Sequence, residues 1–332
     1  MKVCVYAISK NESQFARRWY ESMKEADDVV VLDTGSTDGT AEILKNLGAV
    51  VETRVIDPWR FDKARNESMK LIPADADICV CTDLDEVFRP GWRKALESQW
   101  KPGTQRARYR YVWNFQPDGS EGTVLWPDKI HAGKGYQWIY PVHEVLARKD
   151  GRAERADEVV FLRGVNLDHR ADPSKSRAQY LPLRELSAME NPDDARAMHY
   201  LGREYMFHGM WEQCISALTA HLQMPSANWR EERCASYRFI ARALRKLGRN
   251  EEAREMLYRA VSEAPRLREP YYEFALLLLD EGNYCGAKFM AEQALAIRER
   301  PEVYICEDAA WGEEPRRVLN AAEEGLKADK RE

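Results

Sequence analysis

The chain has 332 residues, of which 44% are hydrophobic and 32% charged, and this composition excludes a disordered polymer and indicates a globular protein long enough for two domains. The net charge of −5 argues against a general nucleic-acid binder, which needs a basic face for phosphates. No apolar run approaches the length that a membrane span requires, so we expect no membrane span.

The seven cysteines, at positions 4, 79, 81, 214, 234, 285 and 306, form neither a CxxC pair nor a disulfide framework. We expect reduced thiols in a cytoplasmic protein, and the first residues, which lead directly into an apolar run without a signal-peptide pattern, agree with that location. Cys79 and Cys81 are two apart on one apolar run, so we expect them to be core residues rather than a metal-binding pair.

Strand and helix patterns alternate through the first part of the chain. Apolar runs predict strands over 3–9, 29–33, 49–56 and 77–84. Helices are predicted over 12–26, over a segment that Ser36 or Thr37 caps and Gly48 ends, and over 62–72, where Pro73 stops the helix. Such alternation predicts an α/β, Rossmann-like fold with a mainly parallel sheet and helices on both faces, in which ligands bind beyond the carboxyl ends of the strands.

Polar side chains follow three of these predicted strands, at Ser9, at Asp33 and in the run Asp83, Asp85 and Glu86. On an extended chain Asp83 and Asp85 point the same way, so both can serve one ligand or ion. Mg²⁺ or Mn²⁺ binds one or two carboxylates together with substrate phosphates, and can act there as a Lewis acid on a departing diphosphate. An Asp-x-Asp tripeptide is also common in surface loops, but here a buried strand precedes it.

Aromatic residues are concentrated in the segment that follows, with eight between Tyr109 and Tyr140, where the chain average of 10% would give about three. In "RYRYVWNF" the residues Tyr109, Tyr111, Trp113 and Phe115 alternate onto one face. Two interpretations stay open: the rings pack a strand, which β-propensity favours, or they form a platform for an acceptor such as a sugar or peptide.

From Pro173 onward the pattern is helical and repeats. Gly209, Gly248 and Gly282 align three similar segments at intervals of 39 and 34 residues, the longer interval containing the insertion "PSANWREE". A helix–turn–helix unit with a period of about 34 residues is typical of tetratricopeptide repeats. Small residues occupy the matching positions of the first helices (Gly202, Ala241, Ala275) and of the second helices (Cys214, Ala253, Ala287). We therefore predict two domains, 1–172 and 173–332.

Four segments in this order, "VYAISKNES", "VVVLDTGSTDGT", "FDKARNESM" and "ICVCTDLDE", resemble family 2 glycosyltransferases of the GT-A fold. The resemblance is strong over residues 1–100 and looser over 101–170. "VHE" (142–144), "LDH" (167–169) and the repeats are similar to a bacterial subgroup that includes peptide S-glycosyltransferases of the sublancin type. The resemblance implies a metal-dependent, inverting transfer of a sugar from a nucleotide diphosphate-sugar, most often a UDP-sugar, to a peptide, protein or glycan.

The resemblance also implies roles on the donor side. The backbone of Ala7, Ile8 and Ser9 and the side chain of Asp33 would contact the base and ribose. Arg65 would lie near the base or diphosphate, the alternative being a solvated helix face. In the DxD motif Asp83, Leu84 and Asp85 would bind the nucleotide-sugar, Asp83 beside the ribose and metal, and Asp85 on Mn²⁺ or Mg²⁺. Glu86 belongs to the same motif as a supporting or capping carboxylate.

The acceptor side is assigned less directly. An inverting transfer needs a base, and Glu144, next to His143, is the candidate. Family 2 enzymes often place an Asp of an "ED" pair there, whereas this chain has "HE"; a helix-surface position for Glu144 is the alternative. His169 would be an additional metal ligand, or else a hydrogen-bonded structural residue. Lys129 would offset diphosphate charge.

Three other functions were compared with this interpretation. A sugar-nucleotide pyrophosphorylase would show a Gly-rich phosphate loop after the first strand, where this chain has "SKNES". A non-catalytic tetratricopeptide scaffold with a degenerate first domain is disfavoured by the intact Asp83 and Asp85. A nucleic acid base as the acceptor ranks below a peptide or glycan because of the net negative charge. The repeats are expected to recruit the acceptor, a partner protein or a second copy of the chain.

Overall fold

The computed structural model describes residues 1–172, 180–301 and 306–329, and the chain divides into two compact units, Met1–Arg177 and Ala178–Glu332. The predicted two-domain organisation is close to this division. The predicted boundary between 172 and 173 stays a prediction, because Pro173 lies outside the described residues.

The first unit alternates strands and helices as its hydrophobic pattern predicts. Its strands are β1 (Val3–Ser9), β2 (Asp28–Asp33), β3 (Val50–Thr53), β4 (Ile78–Thr82), β5 (Glu86–Phe88), β6 (Arg106–Val112), β7 (Val124–Leu125), β8 (Ile130–Ala132), β9 (Tyr136–Ile139), β10 (Val145–Arg148) and β11 (Val159–His169). Its helices are α1 (Ser13–Met23), α2 (Thr40–Leu47), α3 (Phe61–Ser68), which a short 3₁₀ turn continues, and α4 (Trp92–Gln99).

Nine of the strands form one mixed sheet in the order β3-β2-β1-β4-β8-β6-β11-β5, with β7 beside β6. The four strands from β3 to β4 are parallel, as predicted, while β8 joins β4 and β6 in antiparallel fashion. β11 runs parallel to β6 and pairs in antiparallel fashion with β5. The antiparallel strands bring residues near position 130 and position 169 to the end of β4.

Two hydrophobic layers cover the faces of this sheet. On one face Phe15, Trp19 and Met23, spaced four apart on α1, pack against the strands, and Trp19 Nε1 donates a hydrogen bond to Thr82 Oγ1 at 3.0 Å. On the other face Cys79 and Cys81 lie fully buried among apolar side chains. The prediction that these cysteines are core residues is confirmed, and all seven cysteines are free thiols.

The second face also contains a buried polar chain. Trp138 Nε1 donates to Tyr6 Oη at 3.0 Å, and Tyr6 Oη lies 2.9 Å from Nε2 of His131. His131 Nδ1 lies 2.7 Å from the carbonyl oxygen of Ala132, which can only accept, so Nδ1 carries the proton and Nε2 accepts from Tyr6. Burial lowers the pKa of His131 to about 4, so the imidazole is neutral. These bonds fasten the β9–β10 hairpin to the sheet.

Two local predictions were wrong. The helix α2 begins at Thr40 with Gly39 as its N-cap, not at Ser36 or Thr37. Ser36 Oγ instead donates to Asp33 and accepts from the backbone of Asn11, so its side chain is engaged before the helix begins. The strand predicted over 49–56 is only Val50–Thr53, and the chain turns soon afterwards through a cis Asp57–Pro58 peptide bond.

The second unit contains the helices α5 (Tyr180–Glu190), α6 (Ala195–Phe207), α7 (Trp211–Gln223), α8 (Arg230–Lys246), α9 (Asn250–Glu263), α10 (Arg268–Asp280), α11 (Tyr284–Ala296), α12 (Asp308–Trp311) and α13 (Glu314–Asp329). Three consecutive helix–turn–helix pairs, α6–α7, α8–α9 and α10–α11, form the predicted tetratricopeptide region. Within each pair, a glycine lies in the turn that joins the two helices: Gly209, Gly248 and Gly282. Their φ angles of +69°, +75° and +73° explain why glycine recurs there.

The small residues of the repeats let the paired helices approach closely. Ala241, Ala275, Cys214, Ala253 and Ala287 are all buried. A Cβ atom on Gly202 would lie 2.5 Å from Leu218, so α6 and α7 approach too closely for any side chain at this position. Within 1–172, 180–301 and 306–329, no helix is both long enough and apolar enough to cross a membrane.

Candidate active site

The ends of β1 and β2 meet at a buried carboxylate. The parallel register pairs Ser9 with Asp33, and Ser9 Oγ donates to Asp33 Oδ2 at 2.9 Å. The backbone amides of Gly35 and Ser36 donate to Asp33 Oδ1, and Asp33 is only 1% exposed. The turn after β2 therefore fixes Asp33 beside Ser9. The resemblance implies that the base and ribose of the nucleotide bind at this position.

Three of the residues expected near the nucleotide present only their backbone at this edge. Ala7 and Leu84 are fully buried in the main core cluster, and Ile8 packs against Leu32 and Ala64. Alternation along β1 directs Ala7 and Ile8 to opposite faces of the sheet, each into a hydrophobic cluster, and Leu84 is buried after the end of β4. Any contact that they make with a ligand is consequently through main-chain atoms.

Arg65 is the central cation of the site. Its guanidinium donates to Asp83 Oδ1 at 2.8 Å, to Glu144 Oε1 and to Cys81 Sγ, and its Cζ lies 5.2 Å from the centre of the Trp138 ring. The residue is only 4% exposed, so the alternative of a solvated helix face is excluded. α3 thus contributes one side chain that joins two carboxylates separated by 61 positions, from 83 to 144.

Lys129 is the second cation at the end of β4. Its Nζ lies 3.3 Å from Asp83 Oδ2 and 3.5 Å from Glu86 Oε1. Burial alone would raise the pKa of Asp83, but the charges of Arg65 and Lys129 outweigh it and hold that pKa well below its usual range. Asp83 is therefore ionised across the physiological range.

Glu86 stabilises the turn that follows β4. Its Oε2 accepts from the backbone amide of Asp83 at 2.9 Å, and its Oε1 accepts from Tyr111 Oη at 3.0 Å. Burial raises its pKa, although the nearby Lys129 acts in the opposite direction. These bonds match the supporting or capping carboxylate that was expected at this position.

Asp85 and His169 lie together because β11 pairs with β5 and places His169 opposite Glu86. His169 Nε2 is 3.6 Å from Asp85 Oδ2. His169 Nδ1 lies 3.0 Å from the carbonyl oxygen of Trp113, which can only accept, so Nδ1 carries the proton. Nε2 is therefore the ring atom that faces Asp85. Burial alone would lower the pKa of His169, but the contact with Asp85 outweighs burial and raises it, so without a cation Nε2 can carry a proton toward Asp85. An imidazole whose Nδ1–H donates to a backbone carbonyl is also the arrangement in which histidines usually bind metals through Nε2.

These donors fit a divalent cation. A carboxylate and an imidazole oriented by a backbone carbonyl suit Mn²⁺, while carboxylates and phosphates suit Mg²⁺. Asp83 is less available as a metal ligand than Asp85, because its two carboxylate oxygens contact the cationic side chains of Arg65 and Lys129. Within the described part of the chain, the group of three metal-ligand side chains that lies within 4.8 Å is elsewhere, at His199, His221 and Glu232 in the second unit. There Ser236 Oγ contacts the Nδ1 atoms of both histidines.

Glu144 lies immediately before β10, so its alternative assignment to a helix surface is wrong. Its side chain is 9% exposed and bonded to Arg65. The adjacent His143 has a φ of +49° and Tyr140 a φ of +74°, both uncommon for residues with a Cβ. The unusual backbone between β9 and β10 thus turns Glu144 toward the end of β4.

In the aromatic segment the packing interpretation is confirmed for the buried rings, and the acceptor platform stays a prediction. Tyr109, Tyr136 and Trp138 are buried and pack the sheet, whereas Trp113 is 50% exposed. The Trp113 ring centre lies 4.8 Å from that of His169, and the Arg170 guanidinium lies 3.9 Å from the centre of the Phe115 ring. Trp113 and Arg170 were not among the predicted site residues. The alternating aromatic pattern indicated Trp113, whereas only the β11–β5 pairing reveals Arg170.

Residues 4–132 match the sequence profile of the family described as Glycosyl transferase family 2. This match, with the parallel strands and the acidic site at their ends, defines the class of protein to which the first unit belongs. The first unit contains a family 2 glycosyltransferase domain.

Two curated relatives agree with this assignment over a short segment. An uncharacterized glycosyltransferase of Rickettsia prowazekii (strain Madrid E) is 42% identical over 59 residues, which are 18% of this chain and 19% of that protein. A second, from Rickettsia conorii (strain ATCC VR-613 / Malish 7), is 44% identical over 59 residues, 18% of this chain and 20% of that protein. The matches span about one fifth of the length of these relatives.

Solved structures similar to this chain include a tetratricopeptide domain and MamA. The tetratricopeptide domain of Sgt2 from Aspergillus fumigatus is 20% identical with a TM-score of 0.34, covering 42% of this chain and 82% of that one. MamA is 15% identical with a TM-score of 0.33, covering 46% and 90% of the two chains. The assignment of the repeats rests on the helix pairs and glycine turns described above.

Proposed function

We propose that the protein transfers a sugar from a nucleotide diphosphate-sugar, preferentially a UDP-sugar, to a peptide, protein or glycan acceptor, with inversion at the anomeric carbon. One observation carries the proposal: Asp33, Asp83 and Asp85 lie at the carboxyl ends of parallel strands, where Asp83 contacts Arg65 and Lys129 and Asp85 contacts His169. Ligands of open α/β sheets bind at such ends.

The donor would lie over β1, β2 and β4. Asp33, held by Ser9 and by the turn amides, would accept hydrogen bonds from the base or ribose. Asp83 would contact the ribose. The backbone of Ala7, Ile8 and Ser9 would line the base.

Arg65 and Lys129 supply positive charge where the diphosphate leaves. Both already contact Asp83, and burial of Arg65 strengthens its electrostatic interactions relative to those in water. As the bond between the anomeric carbon and the diphosphate oxygen breaks, these two side chains would stabilise the charge that develops on that oxygen.

Asp85 and His169, with Asp83 beside them, would hold Mn²⁺ or Mg²⁺. The cation, when bound, would neutralise the diphosphate as a Lewis acid. Glu86 and Tyr111 would keep the Asp83 loop in position through the backbone amide of Asp83 and the Glu86 carboxylate.

The acceptor would approach from the side of Glu144 and Trp113. The Glu144 carboxylate would take the proton of the incoming nucleophile as the nucleophile bonds to the anomeric carbon, which completes the exchange of bonds. The exposed Trp113 ring would stack on the acceptor. The neighbouring His143 would orient Glu144 through the backbone between β9 and β10.

The second unit would recruit the acceptor, a partner protein or a second copy of the chain. Stacked helix pairs present extended surfaces that suit such binding. The same domain order, a glycosyltransferase domain followed by repeats, is the one implied by the resemblance to peptide S-glycosyltransferases.

The test is release of nucleoside diphosphate from a panel of nucleotide-sugars, with Mn²⁺, Mg²⁺ or EDTA. Asp85→Asn should abolish metal-dependent release while the protein stays folded. The matched control is Asp75→Asn, because Asp75 precedes β4, contacts Lys2 and is 72% exposed, whereas Asp85 follows the same strand. A wild-type protein that hydrolyses and transfers no donor under any metal condition would refute the proposal, as would full activity of Asp85→Asn in EDTA.

A further inference from the structure

A buried arginine with two guanidinium nitrogens that lack hydrogen bonds to any described residue lies in the second unit. Arg184, on α5, is 1% exposed, and its Nε and Nη2 atoms have no hydrogen-bond partner within the described part of the chain. A buried charge that is neither paired nor hydrogen-bonded is strongly destabilising, so a native protein rarely keeps one without a reason.

Two further arginines surround the same aromatic ring. Arg196, Tyr200 and Arg203 are spaced four and three apart on α6 and therefore share one face of that helix. The Cζ atoms of Arg184, Arg196 and Arg203 lie 4.4, 4.9 and 4.5 Å from the centre of the Tyr200 ring. We call these four residues the Tyr200 arginine cluster.

Two positive charges lie close enough to Arg184 to act on its pKa. Burial, followed by the charges of Arg203 and Arg196, lowers the pKa of Arg184 to about 9, although Tyr200 and the buried Glu204 act in the opposite direction. The guanidinium is still protonated at neutral pH. Glu204 itself has His208 Nε2 at 3.5 Å from its Oε1.

We propose that the Tyr200 arginine cluster is a binding site for a phosphate group, supplied either as inorganic phosphate or as a small phosphomonoester. Guanidinium groups present paired N–H donors that match phosphate oxygens. A phosphate dianion also suits three guanidiniums gathered around one ring better than a carboxylate, which carries a single charge. The site belongs to the second unit and is independent of the transferase chemistry proposed above.

Binding is tested by isothermal titration calorimetry on the full chain. Inorganic phosphate is titrated against sodium chloride of equal ionic strength, and glucose 6-phosphate serves as the phosphomonoester. Arg184→Met keeps the length of the side chain and removes the guanidinium, and it should weaken phosphate binding by about tenfold or more. Arg259→Met is the matched control, because Arg259 lies on α9, is 55% exposed and pairs with Glu255; it should bind phosphate like the wild type.

Thermal unfolding without phosphate separates a ligand site from a structural role. If Arg184 is an anion-binding residue, Arg184→Met should melt at the same temperature as the wild type or higher, because the substitution removes a buried charge that lacks a counter-ion. Addition of phosphate should raise the melting temperature of the wild type and of Arg259→Met but not that of Arg184→Met. Arg196→Gln, at a partly exposed position, should weaken binding without affecting folding.

Binding of inorganic phosphate alone would identify a free ion as the ligand, and equal or tighter binding of glucose 6-phosphate would identify a phosphomonoester. No binding up to about 10 mM, which corresponds to negligible affinity, would overturn the proposal. Unchanged phosphate affinity in both Arg184→Met and Arg196→Gln would also overturn it, since the ion would then bind elsewhere. So would a large fall in the melting temperature of Arg184→Met, because Arg184 would then be a structural cation.

Discussion

Replacement of Arg65 by methionine should be among the most damaging single changes in the first unit. The substitution keeps an unbranched side chain but removes a guanidinium that bonds to Asp83 at 2.8 Å and to Glu144. Glu144, 9% exposed, would lose this cation, whereas Asp83 is 33% exposed and keeps Lys129 at 3.3 Å. Loss of one partner of a buried ion pair costs about 3–5 kcal/mol, and the partial compensation at Asp83 places our expectation at about 3 kcal/mol.

A second substitution should recover part of this loss. Glu144→Gln removes the carboxylate that Arg65→Met leaves uncompensated, so the double variant should be more stable than Arg65→Met by about 1–2 kcal/mol. Arg54→Met is the matched control. Arg54 also contacts two carboxylates, Glu52 and Glu67, but it is 48% exposed, so its loss should cost less than about 1 kcal/mol.

The assay is hydrogen exchange in increasing urea, followed by mass spectrometry of peptides from 61–72 and 136–148, which reports on the first unit separately from the repeats. A cost below about 1 kcal/mol for Arg65→Met would refute the reasoning, because such a value belongs to an exposed pair. Additive costs of the two substitutions would equally show that Arg65 and Glu144 do not interact.

Three further predictions concern the base, a buried histidine and the repeats. Glu144→Gln should lower the rate of transfer to a hydroxyl acceptor by roughly 10²–10⁴-fold, with donor binding, measured by calorimetry, no weaker than in the wild type; an unaltered rate with the native acceptor would exclude Glu144 as its base. The folded pKa of His131, about 4, lies below its unfolded value, so protonation favours the unfolded state and stability should fall as the pH drops from about 6.5 toward 4. This loss, about 2 kcal/mol between pH 7 and pH 5, should be absent from urea titrations of His131→Gln, and a parallel fall in both proteins would contradict the assignment. Gly202→Ala should destabilise the second unit by about 1–3 kcal/mol, since its Cβ would lie 2.5 Å from Leu218; an unchanged melting temperature would show that α6 and α7 can separate at little cost.

The strand ends were predictable because local signals determine them. Apolar runs followed by Ser9, Asp33 and Asp83 define buried strands with polar ends, and β1, β2 and β4 lie within one residue of the predicted bounds except at the end of β4, which stops at Thr82. The glycine turns of the repeats were predictable for a similar reason, since each requires a positive φ that other residues rarely adopt.

The cations of the site were less predictable because long-range pairing positions them. The strand β8 has only three residues, too few for a periodic pattern, yet its pairing of Ile130 with Val80 determines where Lys129 lies. The backbone amide of Cys81 donates to the carbonyl of Lys129 at 3.1 Å, which fixes this register at the end of β4. Similarly, alternation along β6 predicted the face of Tyr111 but not its hydrogen bond to Glu86.

The position of Arg65 links the two halves of the proposed reaction. The same guanidinium contacts Asp83, on the donor side, and Glu144, on the acceptor side. A diphosphate arriving beside Asp83 would compete for the N–H donors of Arg65, and each bond that Arg65 gives to phosphate is one that it no longer gives to a carboxylate. The hydrogen bond that Glu144 receives from Arg65 therefore depends on whether the donor is bound. In the proposed reaction, a nucleotide-sugar that draws Arg65 toward its diphosphate would leave the Glu144 carboxylate free to contact the acceptor, which favours binding of the nucleotide-sugar first.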